Sequence, residues 1–520
     1  MTGKVLNFYE IAQPDKLGCE ISMKWLEYNT LRKPWRMATE EVRKYIYATD
    51  TRTTTNSQNP WKNSTTIPKL CQIRDNLYSN YMASMFPDTK SKWIEWQADR
   101  KDDNSKVKRD AITSYMSWAV DQSSFRQEMG KMVLDYIDNG NVFGTVEWID
   151  ERSTLQEPAG TKVGYVGPTI RRISPHDIVF NPTAPSFQES WKIIRSLVSW
   201  GEVKKILESQ STSEDKQFYE DLYAYLLEIR AQTRSFTGDL QVQDAYYQVD
   251  GFTSYRAYLE SDYCEILTFY GDIFDWEDQQ FYPNHKIMVV DRHKVVSKKP
   301  NPSYFGYPPI FHVGWRPKQD NLWAMGPLHN LVGMQYRVDH IENMKADVLD
   351  FIAFPMQKVK GYVEDYQWQP GGKIFIGDEG DVELLMPPYQ VLQLNSEIQQ
   401  YINAMEEMAG APKEAMGFRS PGEKTAYEVQ RLENAASRIF QNKIVQFETL
   451  FFEPLLNAML ELARRNLSSV IEFPVFDNDF KMQVFTSLSP TDVTGAGKLR
   501  PMAARHFAEK AEMVQNISNF

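Results

Sequence analysis

The arrangement of predicted helices in the second half of the chain constrains the fold more than any other sequence feature. Apolar residues recur every three to four positions over 326–352, over 394–409 and over 425–466, which predicts three helices. A short β-rich segment, 354–392, separates the first two helices, and a Gly/Pro-rich loop, 410–424, separates the second from the third. Two helices that enclose a small β insert predict a helical stalk with a β tip.

The third of these helices carries its own start and kink signals. Glu428 follows three residues after Thr425, and Thr-x-x-Glu is a capping box in which each side chain accepts the other residue's backbone N–H. Pro454 interrupts the apolar stripe later in the helix. Because proline has no N–H to donate, we expect a kink at that position.

The first half of the chain combines helical and strand-like patterns. Residues 1–135 are mostly helical in pattern, and the segment Asp138-Asn139-Gly140 is typical of a helix end. Alternating apolar residues follow Val142 and recur over 263–315, where Asp291-Arg292 is expected to form a hairpin turn. Residues 186–235 return to a helical pattern. The sequence therefore predicts an α+β fold that is mainly helical.

Composition limits the classes of function that the chain could serve. Its 520 residues carry a net charge of −11, whereas proteins that bind DNA through its phosphates usually carry a basic excess. Any contact with DNA is therefore expected to be loose or confined to local cations. No apolar stretch approaches the length of a spanning helix, and the N-terminus lacks a signal pattern. We expect a protein made in the cytoplasm, without a membrane partner.

No catalytic motif stands out in the sequence. The segment that ends in Gly497-Lys498 lacks the first glycine and the Ser/Thr of a phosphate loop, because Asp492 and Leu499 occupy those positions. The seven histidines form no metal-binding pair, and the three cysteines lie far apart. We therefore predict no enzyme activity, no metal and no cofactor.

Four stretches together resemble the portal proteins of tailed bacteriophages, in particular the head–tail connectors of short-tailed phages. They are IPKLCQIRDNLYSNYMASMFP (67–87), SFRQEMGKMVLDYIDNGNVFGTVEW (124–148), ISPHDIVFNPTA (173–184) and GYPPIFHVGWRPKQDNLWAMGPL (306–328). Their order and spacing carry the resemblance more than any one of them does. The resemblance covers about residues 60–500 and implies the portal fold, with an α/β wing, a two-helix stem, a small β-rich clip and one very long kinked wing helix.

The resemblance also implies a division of the chain into segments. The wing would be 1–325 together with 425–520, which holds the long helix and the C-terminal segment. The other segments would be stem helix one (326–352), the clip (353–393), stem helix two (394–409) and a tunnel loop (410–424).

A portal of this kind would form a ring of twelve subunits at one capsid vertex of the virion, after assembly in the host cytoplasm. The ring would pass double-stranded DNA during genome packaging and ejection, without sequence specificity. Its partners would be the terminase large subunit, tail adaptor and nozzle proteins, the major capsid protein, and scaffold or internal core proteins.

Two groups of candidate site residues follow from this assignment. The DNA-channel candidates are the loop cations and two acidic residues of the second stem helix: Lys413, Arg419, Lys424, Glu397 and Glu406. The clip-interface candidates are four aromatic residues, which are favoured anchors of protein interfaces: Tyr362, Tyr366, Trp368 and Tyr389.

Two other classes of function stay open at this point. A different virion structural or adaptor protein would share the composition without needing the stem–clip–stem order. A metal-dependent nuclease would need carboxylates that converge from separate parts of the fold, and acidic pairs such as Asp102-Asp103 are plentiful.

Overall fold

The structure of the protein is a computed structural model. It describes residues 16–59, 62–86, 94–98, 105–150, 156–157, 160–161, 165–210, 220, 222–224, 226–227, 257, 263–276, 279–292, 294–301, 306–361, 381–385, 389–409, 442–467, 471–477, 482–489 and 497–501. The α+β fold class is confirmed, because helices and antiparallel sheets alternate along these residues.

The described helices, numbered in chain order, are α1 (Lys16–Leu31), α2 (Lys33–Ile46), α3 (Lys69–Met85), α4 (Ser105–Gln122), α5 (Phe125–Asp138), α6 (Trp200–Gln210), α7 (Val332–Ala353), α8 (Asn395–Ala409) and α9 (Glu453–Asn466). Short 3-10 helices cover Thr51–Thr53, Thr55–Gln58, His329–Leu331 and Tyr389–Gln393, and a π-helical turn covers Glu448–Phe452.

The strands are β1 (Ile94–Ala98), β2 (Asn141–Asp150), β3 (Gln156–Glu157), β4 (Gly160–Thr161), β5 (Val166–Ile173), β6 (Ile178–Phe180), β7 (Lys192–Ser199), β8 (Tyr263–Asp275), β9 (Gln280–Val290), β10 (Lys294–Pro300), β11 (Ile310–Gly314), β12 (Met356–Lys360), β13 (Asp381–Leu385), β14 (Ile471–Asp477), β15 (Met482–Leu488) and β16 (Gly497–Pro501).

The chain folds as two compact units. Unit 1 contains Met1–Met37, Tyr81–Gly326 and Lys443–Phe520, and unit 2 contains Ala38–Asn80 and Pro327–Asn442. Residues 38–80 were expected to group with the rest of 1–325, whereas in the structure they group with 327–442.

The largest sheet of unit 1 is antiparallel, with the strand order β10-β9-β8-β7-β6. Successive side chains of its strands point to opposite faces of the sheet, and both faces are buried. Leu267 and Phe269 pack against Trp25 of α1, whereas Cys264 and Ile266 pack against a cluster that includes residues of α6. A sheet covered on both faces explains why consecutive residues are apolar and buried at Ile266 and Leu267 of β8 and over 287–290 of β9.

A smaller sheet of unit 1, with the order β11-β2-β5, is packed against α5 and α9. The turn from α5 into β2 uses Gly140, whose φ of 71° lies in the left-handed region that glycine adopts readily. Its carbonyl accepts a hydrogen bond of 2.9 Å from the backbone N–H of Trp315. The helix end predicted at Gly140 is therefore confirmed.

Two further predicted elements of the N-terminal part of the chain are confirmed. The Asp291-Arg292 turn joins β9 to β10, and both residues adopt a positive φ. The apolar stripe over 67–86 forms α3, which is followed by Pro87, and its five predicted core residues are all buried: Leu70, Ile73, Leu77, Tyr81 and Met85.

One prediction in this half of the chain is wrong. The helical pattern over 186–235 breaks at β7, which pairs with β8 over its whole length and with β6. The physical reason is tertiary: an interior position in a sheet satisfies the β7 backbone on both edges, and this overrides a local preference for helix. The helix begins only at Trp200, with α6.

The long C-terminal helix is described only from residue 442 onward. Thr425 and the capping box lie outside the described residues. Around Pro454, the helix widens into the π-helical turn Glu448–Phe452, whose last bond joins the Glu453 N–H to the Glu448 carbonyl. The missing N–H of Pro454 is thus accommodated by a wider turn directly before it.

The segment tested as a phosphate loop forms part of a sheet instead. Gly497–Pro501 is β16, which pairs antiparallel with β1, and Lys498 lies opposite Gln97. The sequence pattern predicted neither β1 nor β16. The hairpin β14–β15 was also not predicted.

Candidate functional site: the helix–hairpin–helix unit

Unit 2 is built around two helices and a hairpin that connects them in sequence. Helices α7 and α8 pack through a small apolar core of Val338, Ile341, Ile398 and Ile402. Strands β12 and β13 lie between these helices in the chain and form an antiparallel pair. This order confirms the helices predicted at 326–352 and 394–409 and the β segment between them.

A column of polar side chains runs along one face of α7. Its members recur every fourth residue and are all less than 9% exposed: Gln335, Asp339, Asn343 and Asp347. Four helical residues rise about 6 Å, which is close to the length of two extended residues. A segment in extended conformation can therefore meet each member of the column in turn.

Residues 62–68, which lie outside the helices and strands, and the start of α3 meet the column in this way, and the segment 62–70 runs antiparallel to α7. Asp347 accepts the backbone N–H groups of Lys62 and Asn63, each at 3.0 Å. Asn343 both donates to and accepts from the backbone of Thr65, in two bonds of 2.8 Å. The side chains of α7 thus replace the backbone partners that a neighbouring strand would supply.

The column continues through Asp339 and Gln335. Asp339 accepts the Ile67 N–H at 3.0 Å and the Thr66 hydroxyl at 3.0 Å. Gln335 donates to the Ile67 carbonyl at 2.6 Å and accepts the Leu70 N–H at 3.1 Å. The four-residue spacing of these polar residues in α7 is visible in the sequence, but their role in binding the segment 62–70 was not predicted from it.

A buried ion pair joins the start of α3 to the end of α8. The Lys69 ammonium contacts the Glu406 carboxylate, and both side chains are under a tenth exposed. A buried ion pair costs desolvation but is strongly destabilising to break. Glu406 was predicted to line a DNA channel, and we remove it from that set because its carboxylate is buried and used within the subunit.

The other predicted channel and clip residues are placed as follows. Glu397 lies in the first turn of α8 and is half-buried. Tyr389 begins a 3-10 helix, and nothing is described of its side chain. The remaining candidates fall outside the described residues: Lys413, Arg419, Lys424, Tyr362, Tyr366 and Trp368.

The hairpin divides its charges between its two strands. Lys358 and Lys360 lie on β12, directly opposite Glu383 and Asp381 of β13. The Lys358 ammonium lies 3.1 Å from the Glu383 carboxylate, and both side chains are largely exposed. One strand is therefore basic and the other acidic.

The opposite face of the hairpin is apolar and exposed. Val359 is 51% exposed and Leu384 is 39% exposed, and both lie on the face that the charged residues leave free. Phe354, just before β12, is 72% exposed. The motif K-V-K followed by D-V-E signals this face and the charge division in the sequence, and the sequence reasoning had missed both.

Burial shifts the pKa of Asp339, and this leads to a testable pH dependence. Burial raises the pKa from 3.8 to about 6, against the opposing effect of the hydrogen bonds from Ile67, Thr66 and Gln335. A carboxyl group whose folded pKa is raised contributes stability that is lost as the pH rises through about 4 to 6. Asp339→Asn should therefore increase the free energy of unfolding above about pH 6 and flatten its decline between about pH 4 and 6.

Asp339→Ala is the contrasting variant. It leaves the Ile67 N–H, the Thr66 hydroxyl and the Gln335 amide without this acceptor, at a cost of about 1–3 kcal/mol for each buried donor. Urea unfolding of both variants at several pH values measures the two effects. If the Asn variant is as unstable as the Ala variant at neutral pH, burial of the Asp339 charge is not the cause of the pH dependence.

Comparisons with family profiles and with curated proteins identified no relative of this chain. No known family profile matches the chain, and no curated protein gives a significant sequence match. Within the described ranges, no group of three or more His, Cys, Asp and Glu side chains is arranged to hold a metal ion. None of the helices in the described part of the chain is long and apolar enough to span a bilayer.

Proposed function

We propose that this chain is a portal-type ring subunit, whose copies surround a channel for double-stranded DNA at one vertex of a phage capsid. In this proposal α7 and α8 form the stem, the β12–β13 hairpin belongs to the clip, and unit 1 is the wing. The observation that carries the proposal is the hairpin, which has one basic strand, one acidic strand and an exposed apolar face.

A hairpin of this kind favours contact with copies of itself. A two-stranded hairpin is at best marginally stable alone, and among the residues that the structure describes no third strand pairs with β12 or β13. If β12 of one copy lies beside β13 of the next, Lys358 and Lys360 approach Asp381 and Glu383 across the new strand pair. The contact uses two different edges, so it repeats head to tail, and such heterologous contacts form a ring when the rotation from copy to copy closes.

The internal bracing of unit 2 also suits such a subunit. The polar column of α7 and the Lys69–Glu406 pair fix the segment 62–70 to both helices through hydrogen bonds and an ion pair. A hairpin presented on a rigid pair of helices loses less freedom on association than one on a loop, which favours assembly.

The net charge of the chain supports a channel through which DNA passes rather than a site that binds DNA tightly. A net charge of −11 per subunit disfavours a tight, salt-releasing contact with phosphates. Lys413, Arg419 and Lys424 of the proposed tunnel loop would supply local positive charge, and Glu397 stays a channel candidate. Terminase, tail adaptor and nozzle proteins, and capsid, scaffold or core proteins remain the proposed partners.

Electron microscopy of the purified full-length protein tests the proposal. We expect closed rings with a central hole, and twelve-fold symmetry in class averages. Head-to-tail contact through the hairpin gives this outcome when twelve repeats of the rotation between neighbours complete one full turn without translation. A protein that stays monomeric at high concentration, or forms only filaments without a hole, would instead favour another virion structural role.

A further inference from the structure

Unit 1 contains a cavity that the proposed function does not use. The cavity has a volume of about 180 Å³ and opens between α1, the start of α2, β6 and the loop that follows β11. Four aromatic residues, Tyr28, Trp35, Phe180 and Trp323, contribute to its wall, and the exposed Lys318 also lines it. The lining residues that matter here are Tyr28, Leu31, Trp35, Trp323 and Lys318.

The cavity is suited to an aromatic side chain. The rings of Trp35 and Trp323 lie 4.4 Å apart, and the Arg32 guanidinium lies 5.5 Å from the Trp323 ring centroid. Aromatic walls with a nearby cation favour an inserted π-system. A dry cavity of about 150 Å³ accommodates a benzene molecule, so the volume here is suited to a single aromatic ring system.

The same unit presents an aromatic cluster that has no cover within the described residues. Phe274 and Phe281 lie opposite each other at the end of the β8–β9 hairpin. The Trp276 ring packs on Phe274 with a centroid distance of 4.8 Å. Trp276 is nevertheless 72% exposed and Phe281 is 60% exposed. We call Phe274, Trp276 and Phe281 the aromatic tip.

The aromatic tip and the cavity have complementary charges. Trp276 is followed in the sequence by Glu277 and Asp278, whereas the cavity is lined by Lys318, which is exposed. The Arg32 guanidinium is buried and donates to the carbonyls of Pro175, His176 and Ile178. An aromatic anchor followed by acids is therefore attracted to a cavity lined by an exposed lysine. Trp276 does not fill the cavity of its own chain, because most of its surface is exposed.

We propose that Trp276 of one subunit inserts into this cavity of a neighbouring copy. The inference rests on the proposed self-assembly and adds a second contact to it, made by residues of unit 1. The contact joins two different surfaces of the chain, so it also repeats head to tail. Tryptophan in a pocket is a common anchor of protein interfaces.

Site-specific photocross-linking tests the contact directly. A benzophenone amino acid replaces Trp276 in the full chain, and isotope-labelled and unlabelled subunits are mixed before irradiation. We expect links of mixed label to residues near Leu31, Trp35 or Trp323. The same probe at Tyr263, an exposed residue at the other end of β8, should give no link to the cavity.

Assembly of Trp276→Ala provides a second readout. Truncation of a tryptophan anchor should raise the concentration needed for half-assembly by about ten-fold or more. Tyr263→Ala serves as the matched control, and its assembly should be close to that of the unaltered chain. Rings in which position 276 links only to other surfaces would overturn the insertion but not the ring. A chain that never assembles would overturn both proposals.

Discussion

Reversal of the basic strand of the hairpin, with Lys358→Glu and Lys360→Glu together, is expected to abolish ring assembly. In the proposed contact these residues face Asp381 and Glu383 of the next copy, and the substitutions place like charges opposite each other. Like-charge juxtaposition at an interface costs several kcal/mol. Because the same contact recurs around the ring, the penalty recurs at each interface. Electron microscopy and analytical ultracentrifugation measure the loss of rings.

A compensating reversal distinguishes a lost contact from a damaged fold. Mixing the Lys358→Glu/Lys360→Glu chain with a chain that carries Asp381→Lys and Glu383→Lys restores opposite charges between neighbouring copies but not within either hairpin, and rings should return from the mixture. The control pair Lys44→Glu and Arg171→Glu reverses the charge in two other exposed ion pairs, with Glu40 and Glu147. Exposed pairs contribute little to stability, so the control should assemble normally. Normal rings in the Lys358/Lys360 variant would show that the hairpin edges do not face each other.

Gly140→Ala is expected to cause the largest loss of stability among single substitutions in unit 1 for which the structure gives a direct reason. Gly140 has a φ of 71°, and a Cβ atom there would lie 2.2 Å from the Gly326 nitrogen and 2.6 Å from the Met325 carbonyl carbon. Both are backbone atoms, so no side-chain rotation relieves the overlap. We expect a cost of roughly 3–5 kcal/mol in the free energy of unfolding, at the upper end for a point substitution.

The cost at Gly140 has two causes, the left-handed backbone conformation and the overlap of the added Cβ atom with backbone atoms. Gly306→Ala separates them. Gly306 has nearly the same φ, 72°, but nothing lies within 4 Å of its added Cβ. Its replacement should therefore carry only the left-handed backbone penalty, about 1–2 kcal/mol. Urea unfolding followed by tryptophan fluorescence measures both variants. Equal losses at the two positions would mean that the close approach between Gly140 and Gly326 has no energetic weight.

Local patterns determined much of the secondary structure of this protein. The stripe over 67–86 gave α3, with its apolar residues buried, and the Asp-Asn-Gly sequence gave the end of α5. The Asp291-Arg292 turn and the order α7, β12–β13, α8 were likewise predictable. These features depend on periodicity and turn chemistry within a few residues, which a single sequence displays directly.

The sequence did not predict features that depend on partners distant along the chain. β7 is a strand because β6 and β8 lie beside it, although its own segment continued a helical pattern. Glu406 is buried because Lys69 reaches it, and an acidic residue in sequence otherwise suggests an exposed one. Only the fold therefore shows that Glu406 is buried and does not belong among the predicted channel residues.

The sequence by itself determined the fold class, the main helices and the position of the β insert between two of them. Only the tertiary structure decided how the charges of that insert are arranged, because the register of β12 against β13 sets Lys358 and Lys360 opposite two acids. It also decided that α7 binds the segment 62–70 through buried polar side chains. Periodicity is a local property of the chain, whereas register and burial are fixed by contacts that close long loops.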